Sequence, residues 1–187
     1  MKISRNILFV LFFLILSLPV LGQELQEFES INQTRLEYNR QGMLILGSWA
    51  LLNLVVGILG SFQRKGQVQA FHQMNTYWNL VNLGIAGFGF WQATQVAALN
   101  FWEVLVAQQQ IEKVLLFNAA LDLGYMAIGL LLIERGRRLE KERWIGFGKS
   151  ILLQGAFLLL FDAILYGFQQ QLGIELLELG KGIAVFN

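Results

Sequence analysis

Two carboxylic acids, Asp122 and Asp162, have the strongest chemical potential in this sequence. Each is the only charge in its apolar block, Val114–Ile133 for the first and Ile151–Phe168 for the second. Blocks of that length suit a membrane span, and counting along them puts both acids near mid-membrane. A charged Asp there costs about 2.5–3.5 kcal/mol on insertion scales, so it needs a partner or a task. No Lys, Arg or His stands inside any of the apolar blocks. The expected partners are the other acid, through a shared proton, or the amides Asn53, Asn118 and Gln154. A proton or cation relay is the functional expectation for such a pair. Neutral interhelical glue ranks ahead of it, because amides are plentiful here and modest hydrogen bonds are common between membrane helices. Asn53 and Asn82 join the two acids as an expected intramembrane polar layer.

A second group of polar residues, Phe71-His72-Gln73-Met74-Asn75, precedes the second apolar block. His72 is the only histidine in the chain, and there is no cysteine. One imidazole without neighbouring acids makes no metal centre and cannot hold a haem from both sides. A headgroup or interface contact at a membrane boundary is the expected role of His72 and Asn75. No Gly-rich phosphate loop, His-Glu metal motif or Ser-His-Asp order is present, so no catalytic residue, metal or cofactor is expected and an enzyme ranks last. Net charge is +1, which gives nucleic acid no basic surface to bind.

The elements that must position these residues are long and greasy. The chain has 187 residues, 55% hydrophobic and 14% charged, against roughly a quarter charged in ordinary soluble domains. Its mean hydropathy is +0.51. Four blocks of span length stand out, Met43–Phe62, Tyr77–Val96, Val114–Ile133 and Ile151–Phe168. They lack the period-two alternation of barrel strands. The expected fold is all-α, a four-transmembrane-helix bundle occupying residues 42–170, with a tail over 171–187.

Basic residues alternate across the connections. The first holds Arg64 and Lys65, and the third holds Arg135, Arg137, Arg138, Lys141, Arg143 and Lys149. The second has Lys113 beside Glu103 and Glu112, and the tail has Lys181 beside Glu175 and Glu178. By the positive-inside rule, connections one and three are cytoplasmic and both mature termini periplasmic, in a multi-pass inner-membrane protein. Trp102 and Trp144 suit interfacial anchoring.

Residues 1–22 read as a cleavable signal peptide. Lys2 and Arg5 precede an apolar run from Ile7 to Leu16, Ser17 and Pro19 break the helix, and Gln23 follows the small-residue site. The apolar run is short for a fifth span, the alternative reading. Residues 23–41, with Leu25, Phe28 and Ile31 among Glu24, Glu27 and Glu29, suit a short outer amphipathic helix on the membrane or on the bundle.

Trp49-Ala50-Leu51-Leu52-Asn53-Leu54 with Gly60 is echoed by Trp78-Asn79-Leu80-Val81-Asn82-Leu83 with Gly89. Positions four and seven apart share a helix face. Each of these spans therefore presents a Trp, Asn and Gly stripe suited to close helix contact. Gly57/Ser61, Ala120/Gly124 and Ala163/Gly167 are further small-residue pairs expected inside the bundle.

At Gly42-Met43-Leu44-Ile45-Leu46-Gly47-Ser48-Trp49, Phe71–Asn75 and Trp78–Gly84, the chain resembles a domain of unknown function. Its members are small uncharacterised membrane proteins of Bacteroidetes-type bacteria. The resemblance implies a small helical membrane protein and supplies no activity, substrate or site residue. A structural or accessory protein is the leading expectation, with the lipid bilayer and a homo-oligomer or membrane-protein partner. A small transporter or channel subunit using Asp122 and Asp162 is the alternative, and it requires a cavity that reaches them.

Overall fold

A computed structural model describes residues 5–95 and 100–185, with side chains over 25–95 and 100–182. The expected basic start up to Ser4, the end of the second block at Val96 and the last two residues of the tail lie outside this range. The described chain is four α-helices: α1 Arg5–Gln63, α2 Gly66–Thr94, α3 Phe101–Arg138 and α4 Glu142–Val185. Three of them, α1, α3 and α4, contain segments long and apolar enough to cross a membrane. At 1.5 Å per residue even α3, with 38 residues, runs about 57 Å and outreaches a hydrocarbon core of roughly 30 Å.

Two expectations about α1 are corrected. Ser17 and Pro19 do not break it, because the helix is continuous from Arg5. The flanking run is apolar, and in an apolar setting a helix keeps every other backbone group bonded when one N–H is lost. Nor do residues 23–41 form a separate helix. They lead directly into the first expected span and pack Ile31 against Val104, Leu105, Leu172, Leu176 and Leu179, with Phe28 and Tyr38 alongside. On the same stretch Arg35 is buried and donates through Nε and Nη2 to Asn32 Oδ1 at 3.1 and 2.9 Å. Burial pulls its guanidinium pKa below the ordinary arginine value.

α2 falls short of the other three in apolarity, and its surface explains why. Its buried residues are Ala70, Asn75, Asn79, Asn82 and Ala86. Val68, Tyr77, Leu80, Val81, Ile85, Phe88 and Trp91 point outward and are exposed. This is a soluble helix turned inside out.

The helices run up and down. α1 packs along α2 and α3 along α4, and α4 also lies against α2 and, more lightly, α1. Among the described residues no Cα of α2 comes within 8 Å of one in α3. The two tight turns sit together at one end of the bundle. A Cβ on Gly66 (φ +60°) would strike the Glu142 carboxylate, and Gly146 lies against Gln67 O and Ala70. Arg64, Lys65 and the six basic residues from Arg135 to Lys149 therefore gather at that end. At the opposite end α3 opens with a capping box. Asn100 Oδ1 accepts from Glu103 N at 3.0 Å and Glu103 Oε2 from Asn100 N at 2.9 Å.

The α3–α4 contact is made by glycines seven residues apart, Gly129 and Gly136 on α3 and Gly148 and Gly155 on α4. A Cβ on Gly148 would lie 2.5 Å from Gly129 O, and one on Gly129 would lie 2.9 Å from Gly148 O. Of the expected small-residue pairs, Gly57 packs on Thr76 and His72 of α2. Gly124 and Gly167 instead face open space, and Ala120 and Ala163 are exposed with them. Those two pairs were expected inside the bundle and lie outside, because α3 and α4 turn their seven-spaced glycines toward each other.

Candidate functional site

Buried amides form one polar cluster. Asn75 of α2 donates through Nδ2 to the backbone O (3.1 Å) and Oδ1 (3.0 Å) of Asn53 on α1. Its Oδ1 accepts from Gln154 Nε2 of α4 at 2.5 Å. Gln154 Oε1 in turn accepts from Trp49 Nε1 at 2.9 Å, and the Trp49 ring stacks on Phe157 with centroids 3.8 Å apart and planes within 5°. Asn79 Nδ2 adds a bond to Asn75 O at 2.8 Å. Asn75, Asn79 and Gln154 are sealed from solvent, so three helices are joined through amides whose bonds hold in a low dielectric.

The acids occupy a different place. Asp122 on α3 and Asp162 on α4 are both buried, and they line one cavity. They stand in its floor, below a space of about 520 Å³ between α2, α3 and α4. Asn82 and Asn118 supply the remaining amides of the lining, and Tyr77, Trp78, Tyr125 and Phe161 its aromatic walls. Trp78 meets Tyr125 edge to face, with centroids 4.9 Å apart, across the gap that separates α2 from α3. Asp122 Oδ2 and Asn82 Nδ2 are buried without hydrogen-bond partners. A buried polar atom left unpaired usually marks a site that something else completes.

The expected polar layer thus divides. Asn82, Asp122 and Asp162 line the cavity, whereas Asn53 belongs to the amide cluster. His72 and Asn75, expected together at a membrane boundary, both face α1 but at different levels along it. Asn75 enters the cluster, and the His72 ring packs on Gly60 of α1, its Nδ1 buried and unpartnered. Trp102 is exposed, and Trp144 lies under Lys141 Nζ at 5.1 Å and Arg135 at 5.9 Å. A cluster not anticipated from sequence ties the other end: Gln108 Nε2 donates to Gln169 O, and Gln169 Nε2 to Asn39 Oδ1 at 2.8 Å. Glutamines at helical spacing in a mixed polar stretch read as surface, which hid them. Among the described residues no three His, Cys, Asp or Glu side chains come together as metal ligands.

A family model described as a family of unknown function, DUF6992, matches residues 45–163. The chain belongs to that family. Comparison with curated proteins and with solved structures gives no match. The DUF6992 segment takes in Trp49, Asn53, Asn75, Asn82, Asp122, Gln154 and Asp162, so the amide cluster and the acid-floored cavity both fall inside it. Residues 23–41 lie outside the DUF6992 match.

Proposed function

We propose that this DUF6992 member is a multi-pass inner-membrane protein in which all four helices cross the bilayer, and that the cavity between α2, α3 and α4 is a small-solute site where Asp122 and Asp162 handle a proton or a cation. The observation that carries this is the cavity itself, because it opens onto two buried acids with no basic side chain in its lining. Pure interhelical glue calls for a closed bundle, whereas a cavity of about 520 Å³ reaches both acids here.

The inside-out surface of α2 supports lipid as its solvent, and so supports counting it as the fourth span. Eight basic residues at one end support that end as cytoplasmic, with a cleaved signal peptide and the mature N-terminus on the other side. A reporter inserted between Arg138 and Glu142 is expected to read as cytoplasmic; a periplasmic signal there would overturn the orientation.

Two like-charged carboxylates lining one small cavity do not both ionise freely, which suits the pair to holding a proton. Tryptophan emission, with Trp78 in the cavity wall, is expected to follow protonation of the pair as pH is varied. That step should disappear in Asp122→Asn/Asp162→Asn, with the protein still monodisperse in detergent. An unaltered titration in the double variant would remove the acids from the site.

A second reading is assembly with another copy or a larger membrane complex. It rests on Gly124 and Gly167, whose open faces leave room for an approaching helix.

A further inference from the structure

We infer that the cavity takes a hydrophobic organic ammonium ion, an amine or quaternary ammonium carrying an apolar tail, and admits it sideways from the bilayer between α2 and α3. This rests on the acid pair being a working site and adds its ligand class and its route of entry.

The route follows from the helix packing. α2 and α3 keep apart along their length, bridged at the cavity by the Trp78–Tyr125 edge contact. The residues at the mouth are exposed and apolar or aromatic: Tyr77 58%, Val81 62%, Ile85 53% and Leu121 39%. The floor is the reverse, with Asn82, Asp122 and Asp162 each at 5% exposure or less. A ligand passing this mouth meets hydrocarbon-compatible surface first and carboxylates last. That order suits an amphiphile that leads with its polar head.

The class of the head follows from the lining. Two buried acids without a cationic neighbour are either held neutral by a proton or met by a positive charge from outside, and the ammonium supplies the second. Among the described residues no three His, Cys, Asp or Glu side chains come together, so a hard divalent ion would meet only two charged ligands here. Indole, phenol and phenyl faces around a carboxylate are instead the surroundings that favour an organic ammonium, by attraction to the ring faces. Asp122 and Asp162 line the cavity, and Asp122 Oδ2 is buried there without a hydrogen-bond partner. Asn82 presents either its oxygen or its nitrogen, depending on how the amide is turned. The cavity volume lies within the range of small-molecule sites, roughly 300–1,000 Å³.

The test measures equilibrium binding of radiolabelled dodecyltrimethylammonium to the full chain in neutral-lipid nanodiscs, with dodecanol and dodecyl sulfate as competitors. Saturable binding is expected, displaced by unlabelled ammonium and not by the alcohol or the sulfate. Asp122→Asn/Asp162→Asn should weaken it by roughly tenfold or more, the scale of a lost charge-assisted contact. Val81→Trp provides a variant independent of the buried acids. It places an indole at an exposed mouth position, should leave folding intact, and should obstruct binding. Equal displacement by dodecanol, or binding indifferent to both variants, would overturn the inference. If no ammonium binds while the acids still titrate, this inference fails and the proton-handling reading stands; if the titration is absent too, both fail.

Discussion

Gly148→Leu is expected to leave no folded, monodisperse protein in detergent, and Gly148→Ala to lower the unfolding temperature sharply. A Cβ at Gly148 would lie 2.5 Å from Gly129 O and 2.9 Å from Ile133 N, both backbone atoms of α3. Backbone inside a helix cannot swing aside as a side chain does, so the two helices must separate along the most extensive contact in the fold. Overpacking a core that can adjust costs about 1–3 kcal/mol. A rigid crossing should exceed that range, against total stabilities of roughly 5–15 kcal/mol for ordinary domains. Gly124→Leu and Gly167→Leu provide the contrast, since a Cβ at either meets nothing within 4 Å. These two should keep the wild-type melting temperature or gain slightly from helix propensity, up to about 1 kcal/mol. Size-exclusion chromatography after stepwise heating separates the cases. A Gly148→Leu protein that survives heating like wild type would show that the crossing is looser than its backbone distances imply.

This glycine contact shows where sequence reasoning succeeds and where it stops. Helix number and type were legible, because an apolar block of span length admits few alternatives and the turns carry charge. Asp122 and Asp162 were legible for a similar reason: a lone acid in hydrocarbon stands out from its neighbours. The choice of glycines was not. The small-residue pairs expected on α3 and α4 are four apart, whereas Gly129/Gly136 and Gly148/Gly155 repeat every seven, the period of two helices that stay in contact over several turns. Ala120/Gly124 and Ala163/Gly167 have the expected spacing and face outward, and spacing alone cannot say toward which neighbour a face turns. The same limit explains Asn53 and Asn82. The echo around Trp49 and Trp78 gives them equivalent positions, yet Trp49 meets α4 directly and Trp78 faces the gap between α2 and α3. Trp49 accordingly stacks on Phe157 while Trp78 reaches across a cavity to Tyr125. That α2 and α3 stay apart is a property of the assembled bundle, and no single segment records it. Proline alone does not reveal the continuity of α1 past Pro19, since a broken helix can solvate its free carbonyls in water but not in an apolar setting.

Replacing Asn75 with Leu is expected to cost roughly 2–4 kcal/mol, with a comparable cost for Gln154→Leu. Asn75 Nδ2 and Oδ1 between them hold Asn53 of α1 and Gln154 of α4. Its removal strands Gln154 Nε2 and Asn53 Oδ1 in a place where Asn75 itself is 1% exposed. Stranded buried groups cost about 1–3 kcal/mol each in water-soluble proteins. Hydrogen bonds between membrane helices average only about 0.6 and reach about 1.7 kcal/mol. Two stranded groups with no water to replace their partner place the sum in the stated range. The double variant decides whether the cluster acts as a unit. Gln154→Leu removes the donor that Asn75→Leu strands, so the two costs should fall short of additivity by about 1 kcal/mol. Unfolding by added dodecyl sulfate in mixed micelles reads all three variants, and strict additivity would deny the coupling. The same bonds have a second consequence. α2 is held from α1 and α4 alone, and Asn75–Gln154 is its buried polar link to α4. Loosening that link frees the helix that forms one wall of the cavity, so Asn75→Leu should weaken ammonium binding without touching either acid. Asp122→Asn should weaken binding while leaving the unfolding midpoint near wild type. Loss of binding with destabilisation in the first variant and without it in the second is the combination expected if the amide cluster positions α2 and the acids face the ligand.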